Sequence, residues 1–252
     1  MKIQNLTKSY AGRAVVQDLS LAIAPGEIFG IVGRNGAGKT TTVECLAGLR
    51  RPDAGTISVL GLDPRRDRTE LRERLGVQLQ DSELPANLRV AEALELYASF
   101  YREPADVDRL IVDLGLTDKR GTAFGKLSGG QKQRLSVALA LVGSPQVAIL
   151  DELTTGLDPQ ARRDTWAVIR SIRATGVTVV LVTHFMEEAE RLCDRVAVLR
   201  EGRIVALDTP EELIADAGRR LNLPRPSLED AFLLHTDSDT TDSDTTDKEN
   251  LG

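Results

Sequence analysis

A chain of 252 residues that is 41% hydrophobic can bury a sizeable core and needs no more than one domain with a subdomain. Its longest apolar runs, such as Val177 to Val182, fall far short of the roughly 20 residues that cross a bilayer, which excludes a helical membrane-spanning chain. The formal charge of −6 is uneven: residues 236–252 hold five Asp, one Glu and one Lys, a net of −5, so the remainder carries −1 and has no basic footprint for nucleic acid. The start, Met1-Lys2-Ile3-Gln4-Asn5, lacks the apolar core of a secretory signal, so a cytoplasmic protein is expected. Cys45 and Cys193 sit far apart in apolar helical contexts and read as buried free thiols.

Along the chain, residues 2–10 and 14–23 read as strands joined by Ala11-Gly12-Arg13, an antiparallel start. Pro25-Gly26 turns into a buried central strand, Glu27 to Val32, and a glycine loop then launches a helix ending near Gly48. A strand from Thr56 to Leu60, a charged helix from Asp67 to Arg74 and a short strand from Gly76 to Gln80 follow. From about residue 84 to residue 142 the pattern is helical only, with helices at 90–101, 106–114 and 130–142, which predicts an inserted helical subdomain. Strand runs return at 146–150, 177–183 and 195–199, alternating with helices at 159–174 and 186–193. That alternation predicts an α/β fold, a mostly parallel sheet with helices on both faces, ending in a hairpin about Glu201-Gly202. Residues 1–235 are expected to form the folded domain. The acidic five-residue repeat of 236–252 has too little apolar surface to offset ordering and reads as a disordered tail.

The loop after the central strand reads Gly33-Arg34-Asn35-Gly36-Ala37-Gly38-Lys39-Thr40-Thr41. Glycines at this spacing let backbone N–H groups turn inward at a helix N-terminus as an anion nest, Lys39 can reach the outer phosphates, and the Thr40 hydroxyl suits Mg²⁺, a hard ion that takes oxygen ligands. Further on, Val147 to Leu150 is a buried strand ending in Asp151 and Glu152, at the sheet edge where ligands of open α/β folds sit. Asp151 is placed to hold Mg²⁺ through water and Glu152 to polarise a water for attack on a phosphate.

Leu127-Ser128-Gly129-Gly130-Gln131 opens a helix, and with the two motifs above it makes the chain similar to the nucleotide-binding subunits of ABC (ATP-binding cassette) transporters, up to about residue 235. The resemblance implies a P-loop NTPase core that binds ATP and Mg²⁺ and hydrolyses ATP. It assigns phosphate and Mg²⁺ contacts to Gly33, Asn35, Gly36, Gly38, Lys39, Thr40 and Thr41. It matches Tyr10 to the aromatic that stacks on adenine, Gln80 to the glutamine that reaches Mg²⁺, Asp158 to the loop crossing between monomers, and His184 to the γ-phosphate contact. Ser128, Gly130 and Gln131 would act on the nucleotide of a second copy, so the resemblance implies a homodimer, with a separate polytopic membrane permease as partner and no nucleic acid. Arg34 and Leu153 stand where the family commonly has proline, which bears on loop rigidity and turnover.

Chromosome-maintenance and DNA-repair relatives insert long coiled coil between the two motifs, and translation-factor relatives carry two cassettes; neither matches this chain. Thr183 to Glu190, Val77 to Gln80 and Leu228 to Leu233 resemble exporter ATPases of the daunorubicin-resistance type. Drug or antibiotic efflux is the expectation, with lipid, polysaccharide or ion export as alternatives. The chain is then expected at the inner face of the cell membrane, held there by the permease.

Overall fold

The computed structural model describes residues 1–79 and 83–237. Strand β1 (Lys2–Tyr10) pairs antiparallel with β2 (Arg13–Ala22) and with β4 (Ala54–Ser58), forming a three-stranded sheet in the order β2-β1-β4. Ile3, Leu6, Val16, Leu19 and Leu21 turn inward, while register shifts interrupt strict alternation along β1.

The second sheet has six strands: β3 (Ile28–Gly33), β5 (Leu75–Gln78), β6 (Val147–Asp151), β7 (Thr178–Thr183), β8 (Arg195–Arg200) and β9 (Arg203–Asp208). Their order is β5-β6-β7-β3-β8-β9, parallel except for the β8–β9 hairpin. Strands β3, β6 and β7 are buried at every residue, as an unbroken Val/Ile/Leu run requires when both faces of a parallel sheet are covered. Alternate residues divide between two cores. Ile28, Val32, Leu150 and Leu181 pack beneath helices on one face, while Phe29, Ile31, Ile149 and Val182 pack on the other toward α1 (Lys39–Leu46) and the three-stranded sheet.

Helix α2 (Arg68–Arg72) precedes β5. Helices α3 (Val90–Ala98), α4 (Val107–Asp113) and α5 (Gly129–Leu141) fill the stretch expected to be helical, with two short 3₁₀ turns between α4 and α5. Helix α5 also reaches the main sheet. A Cβ on Gly76 of β5 would collide with the Ala140 carbonyl, so glycine permits that close packing. Helices α6 (Pro159–Ala174) and α7 (Met186–Leu192) alternate with the strands as the sequence predicts.

Two helices were not anticipated, α8 (Pro210–Leu221) and α9 (Leu228–Thr236). Their starts are marked in the sequence by Thr209 before a proline and by the Ser227/Asp230 capping box. Helix α9 runs through Thr236, past the expected domain edge at 235, and Asp237 follows it. Residues 238–252 of the expected tail lie outside the described residues, as do Gln80 and Asp81.

Candidate active site

Strand β3 delivers the chain to the glycine loop, and two glycines there are required by close approach. A Cβ on Gly33 would stand 2.7 Å from the Leu199 carbonyl oxygen. Gly38, at φ 96°, would place one 2.5 Å from that of Val15. Gly38 is the N-cap of α1 and gives it no side-chain hydrogen bond, which leaves the first N–H groups of the helix available to an anion. Lys39 is buried, and its Nζ donates to the carbonyls of Gly33 at 2.9 Å and Arg34 at 3.3 Å. Burial pushes its pKa down, opposed by the charges of Glu152 and Asp151.

The parallel register of β3, β6 and β7 brings the strand ends together. At the end of β6, Asp151 is 1% exposed and both carboxylate oxygens lack a hydrogen-bond partner. Burial pushes its pKa up to about 6, with Glu152 adding and Lys39 opposing; the Thr40 hydroxyl faces it and draws it slightly down. A buried carboxylate left unpaired beside a hydroxyl fits a hard divalent cation, which favours oxygen donors and takes the rest from phosphate and water. Glu152 occupies the left-handed region at φ 51°, a conformation strained for a non-glycine residue and found at functional turns. This turn aims its side chain back into the cleft, with Oε1 at 3.4 Å from His184 Nδ1 and 4.0 Å from Lys39 Nζ.

Lys39, Glu152 and His184 line a cleft of about 620 Å³ together with Val15, Asn35, Gly36, Gly38, Thr40, Thr41 and Thr155. Of the expected site residues, the structure gathers Asn35, Gly36, Gly38, Lys39, Thr40, Thr41, Glu152 and His184 around this cleft, with Gly33 at the end of β3 leading into the loop and Asp151 buried beside Glu152. The others stand apart. Tyr10 lies outside this lining, its ring approached to 5.4 Å by the cations of Lys8 and of Arg50. Ser128 caps α5, its Oγ accepting from the Gln131 N–H at 3.4 Å while Gln131 Oε1 accepts from the Ser128 N–H at 3.0 Å. Gly130 faces Ala161 of α6. Asp158 caps α6 by accepting from the N–H groups of Gln160 and Ala161, bonds that hold its carboxyl below the usual range. Gln80 lies outside the described residues.

Sequence reading passed over two supporting side chains. Gln78 is buried in β5, and its Oε1 accepts from the Asp151 N–H at 3.1 Å, fixing the backbone that carries the acidic pair. Its only sequence signal was an amide inside a short apolar strand. Glu188 of α7 is fully buried, accepts from Trp166 Nε1 at 3.0 Å, and has its pKa raised by burial, with the hydroxyls of Thr183 and Thr154 opposing. Through Trp166 it ties α7 to α6. Four positions beyond His184, it reads in sequence as an ordinary exposed helix carboxylate.

A family model described as ABC transporter matches residues 16–155. A Nod factor export ATP-binding protein I from Burkholderia orbicola is 45% identical over 216 residues, 84% of this chain and 71% of that protein. One from Paraburkholderia xenovorans is 46% identical over 221 residues, 85% and 72% of the two chains. Among solved structures, the ATP-binding subunit of an ABC transporter superposes with a TM-score of 0.80 at 27% identity, over 93% of this chain and 98% of that one. A dimeric ATP-binding cassette in a post-hydrolysis state, bound to ADP and Pi, gives 0.75 at 25% identity over 82% and 97%. With the phosphate loop and Glu152 meeting in one cleft, this chain belongs to the ABC transporter family as an ATP-binding subunit, an ATPase that uses ATP and Mg²⁺.

Proposed function

We propose that the chain drives an exporter and works as two copies beneath a separate polytopic membrane permease. The observation that carries this reading is the division of the expected site. Lys39, Thr40, Glu152 and His184 share one cleft, whereas Ser128, Gly130 and Gln131 stand at a helix start outside it. A site left incomplete in one copy is completed by another.

In this reading, the N–H groups from Gly36 to Thr41 and the Lys39 ammonium hold the ATP phosphates, Lys39 exchanging the carbonyls of Gly33 and Arg34 for phosphate oxygens. Asp151 and Thr40 would hold Mg²⁺, with Gln80 as a further ligand, and the bound ion would supply charge neutralisation at the phosphate oxygens. Glu152 accepts the proton of the attacking water as the oxygen bonds to the γ-phosphorus, and ADP leaves. His184 keeps the Glu152 carboxylate in place on one side and faces the γ-phosphate on the other. Ser128, Gly130 and Gln131 of the second copy close over that phosphate, Asp158 lies at the crossing between copies, and Tyr10 turns to stack on adenine.

The permease is proposed to dock on the helical region. Leu96 and Phe100 are 48% and 66% exposed and stand four residues apart at the end of α3, an apolar spot suited to a short amphipathic helix. Leu84 and Leu88 are half-buried nearby in sequence, packed on the core. Among the described residues no helix is long and apolar enough to cross a membrane; in this reading the permease does the crossing and holds the chain at the inner face of the cell membrane. Drug or antibiotic efflux is the substrate class we infer, from the resemblance to daunorubicin-resistance exporters; the relatives named for Nod factor export favour a second reading, export of such a factor. The test is co-purification from detergent-solubilised membranes, followed by ATP-driven uptake of daunorubicin into inverted vesicles. Recovery with a multi-span protein and uptake lost in Glu152→Gln supports the reading, and recovery without any such partner overturns it.

A further inference from the structure

Two side chains outside the nucleotide cleft, Phe185 and Arg162, stand in series behind His184. Among the described residues no hydrogen bond fixes the imidazole: Nδ1 is shielded from solvent without a hydrogen-bond partner, and its 3.4 Å approach to Glu152 Oε1 is a contact without a bond. The ring is gripped through its face instead. The Phe185 ring lies against it, with centroids 4.1 Å apart and planes inclined at 40°. Phe185 is itself the N-cap residue of α7, and its N–H donates to Thr183 Oγ1 at 3.0 Å, which ties its backbone to the end of β7. Behind it the Arg162 guanidinium stands 4.5 Å from the Phe185 centroid. A planar, weakly hydrated cation is attracted to an aromatic face at that distance. Arg162 is held from both ends. Its backbone N–H donates to the Asp158 carbonyl at 3.0 Å in the first turn of α6. Its Nε is buried without a hydrogen-bond partner, and its charge acts on the fully buried Glu188, whose pKa burial raises and the Arg162 charge helps to lower.

We propose that Arg162 and Phe185 are positioning residues for ATP hydrolysis: the guanidinium clamps the Phe185 ring, and that ring holds the His184 imidazole at the Glu152 carboxylate. Neither lines the nucleotide cleft, so both act through His184. A reacting group misplaced by about 1 Å can cost about 100-fold in rate, and an imidazole that is loosened rather than lost is expected to cost about tenfold. Because the two residues work in series, losing either should cost as much as losing both. The proposal rests on reading Glu152 as the base with His184 beside it, which Glu152→Gln tests separately.

The experiment measures ATP affinity by titration without Mg²⁺, and kcat by phosphate release, for the native chain, Arg162→Met, Phe185→Leu, Phe185→Tyr and the double variant Arg162→Met/Phe185→Leu. Affinity should stay within about twofold throughout, while kcat falls about tenfold in Arg162→Met, in Phe185→Leu and in the double variant. Phe185→Tyr keeps the ring and should turn over near the native rate. The chain has two histidines, so the His184 Cε1–H resonance is readily followed by NMR. The Phe185 ring current displaces that line, and Arg162→Met should move it in the same direction as Phe185→Leu does, leaving the His235 line in place. Four results overturn the proposal: a native kcat in Arg162→Met or Phe185→Leu, single losses that multiply to about 100-fold in the double variant, a Phe185→Tyr as slow as Phe185→Leu, or a His184 line that Arg162→Met does not move. ATP affinity that falls in step with kcat overturns it as well, since that marks damage to the fold. Native turnover in Glu152→Gln overturns the underlying base reading instead.

Discussion

Two helices of this molecule begin at glycine-rich turns, and their ends are finished in opposite ways. Helix α1 starts at Gly38 with no side-chain cap, and the nearby Lys39 donates to the loop carbonyls of Gly33 and Arg34. Helix α5 starts at Ser128 with a complete capping box, in which the Gln131 N–H is answered by the serine hydroxyl and the Ser128 N–H by the Gln131 side chain. An uncapped N-terminus beside a buried cation is prepared for an anion from solution, whereas a capped one is stable unoccupied. The phosphate loop is thus incomplete until nucleotide arrives. The signature helix is complete in one copy and exposes its serine to another.

The sharpest way to break this contrast is at Lys39. Lys39→Ala removes the cation that neutralises the phosphates and is expected to abolish ATP binding, measured by isothermal titration. Next in size, Glu152→Gln keeps the carbonyl oxygen and the loop but removes the base, so binding should persist while hydrolysis falls at least about 100-fold in a phosphate-release assay. Turnover near the native rate would move the base assignment to His184.

Asp151 sharpens the same contrast through stability. Its carboxyl, raised from 3.8 to about 6, binds more protons folded than unfolded between those values, so its contribution to stability falls as pH rises through about 6. At pH 7 without Mg²⁺ the chain holds a buried carboxylate whose burial outweighs the opposing Lys39 charge and Thr40 hydroxyl. Asp151→Asn should therefore stabilise the nucleotide-free protein by about 1–3 kcal/mol in urea titrations while weakening Mg²⁺-dependent ATP binding. The smallest effect is expected at the capped end. Ser128→Ala removes a cap and should lower the melting temperature by about 2–4 °C, leaving ATP binding by the single copy unchanged.

The parts of the fold that were legible in sequence are those where one physical signal dominates. Continuous apolar runs at 28–32, 147–150 and 178–182 mark strands buried on both faces, and the limits of α6 follow from the Asp158-Pro159 start. Helices α8 and α9 escaped because their apolar faces are narrow: α8 buries only Pro210, Leu213 and Ala217. At the site, motif spacing pointed to the phosphate loop and the acidic pair, and the family resemblance to His184; the meeting of the loop, Glu152 and His184 depends on strand register. Gln78 and Glu188 were not legible, since a buried amide and a buried carboxylate are recognised only from what surrounds them.

The central claim is that one copy binds ATP and two copies close on it. Sedimentation of Glu152→Gln with Mg²⁺ and ATP tests this most directly, because slowed hydrolysis should hold the closed pair together. The account predicts a dimer that forms only with ATP, and a monomer when Ser128→Arg is added, with ATP affinity of the single copy unchanged. A dimer that forms equally without ATP, or that survives Ser128→Arg, would contradict it.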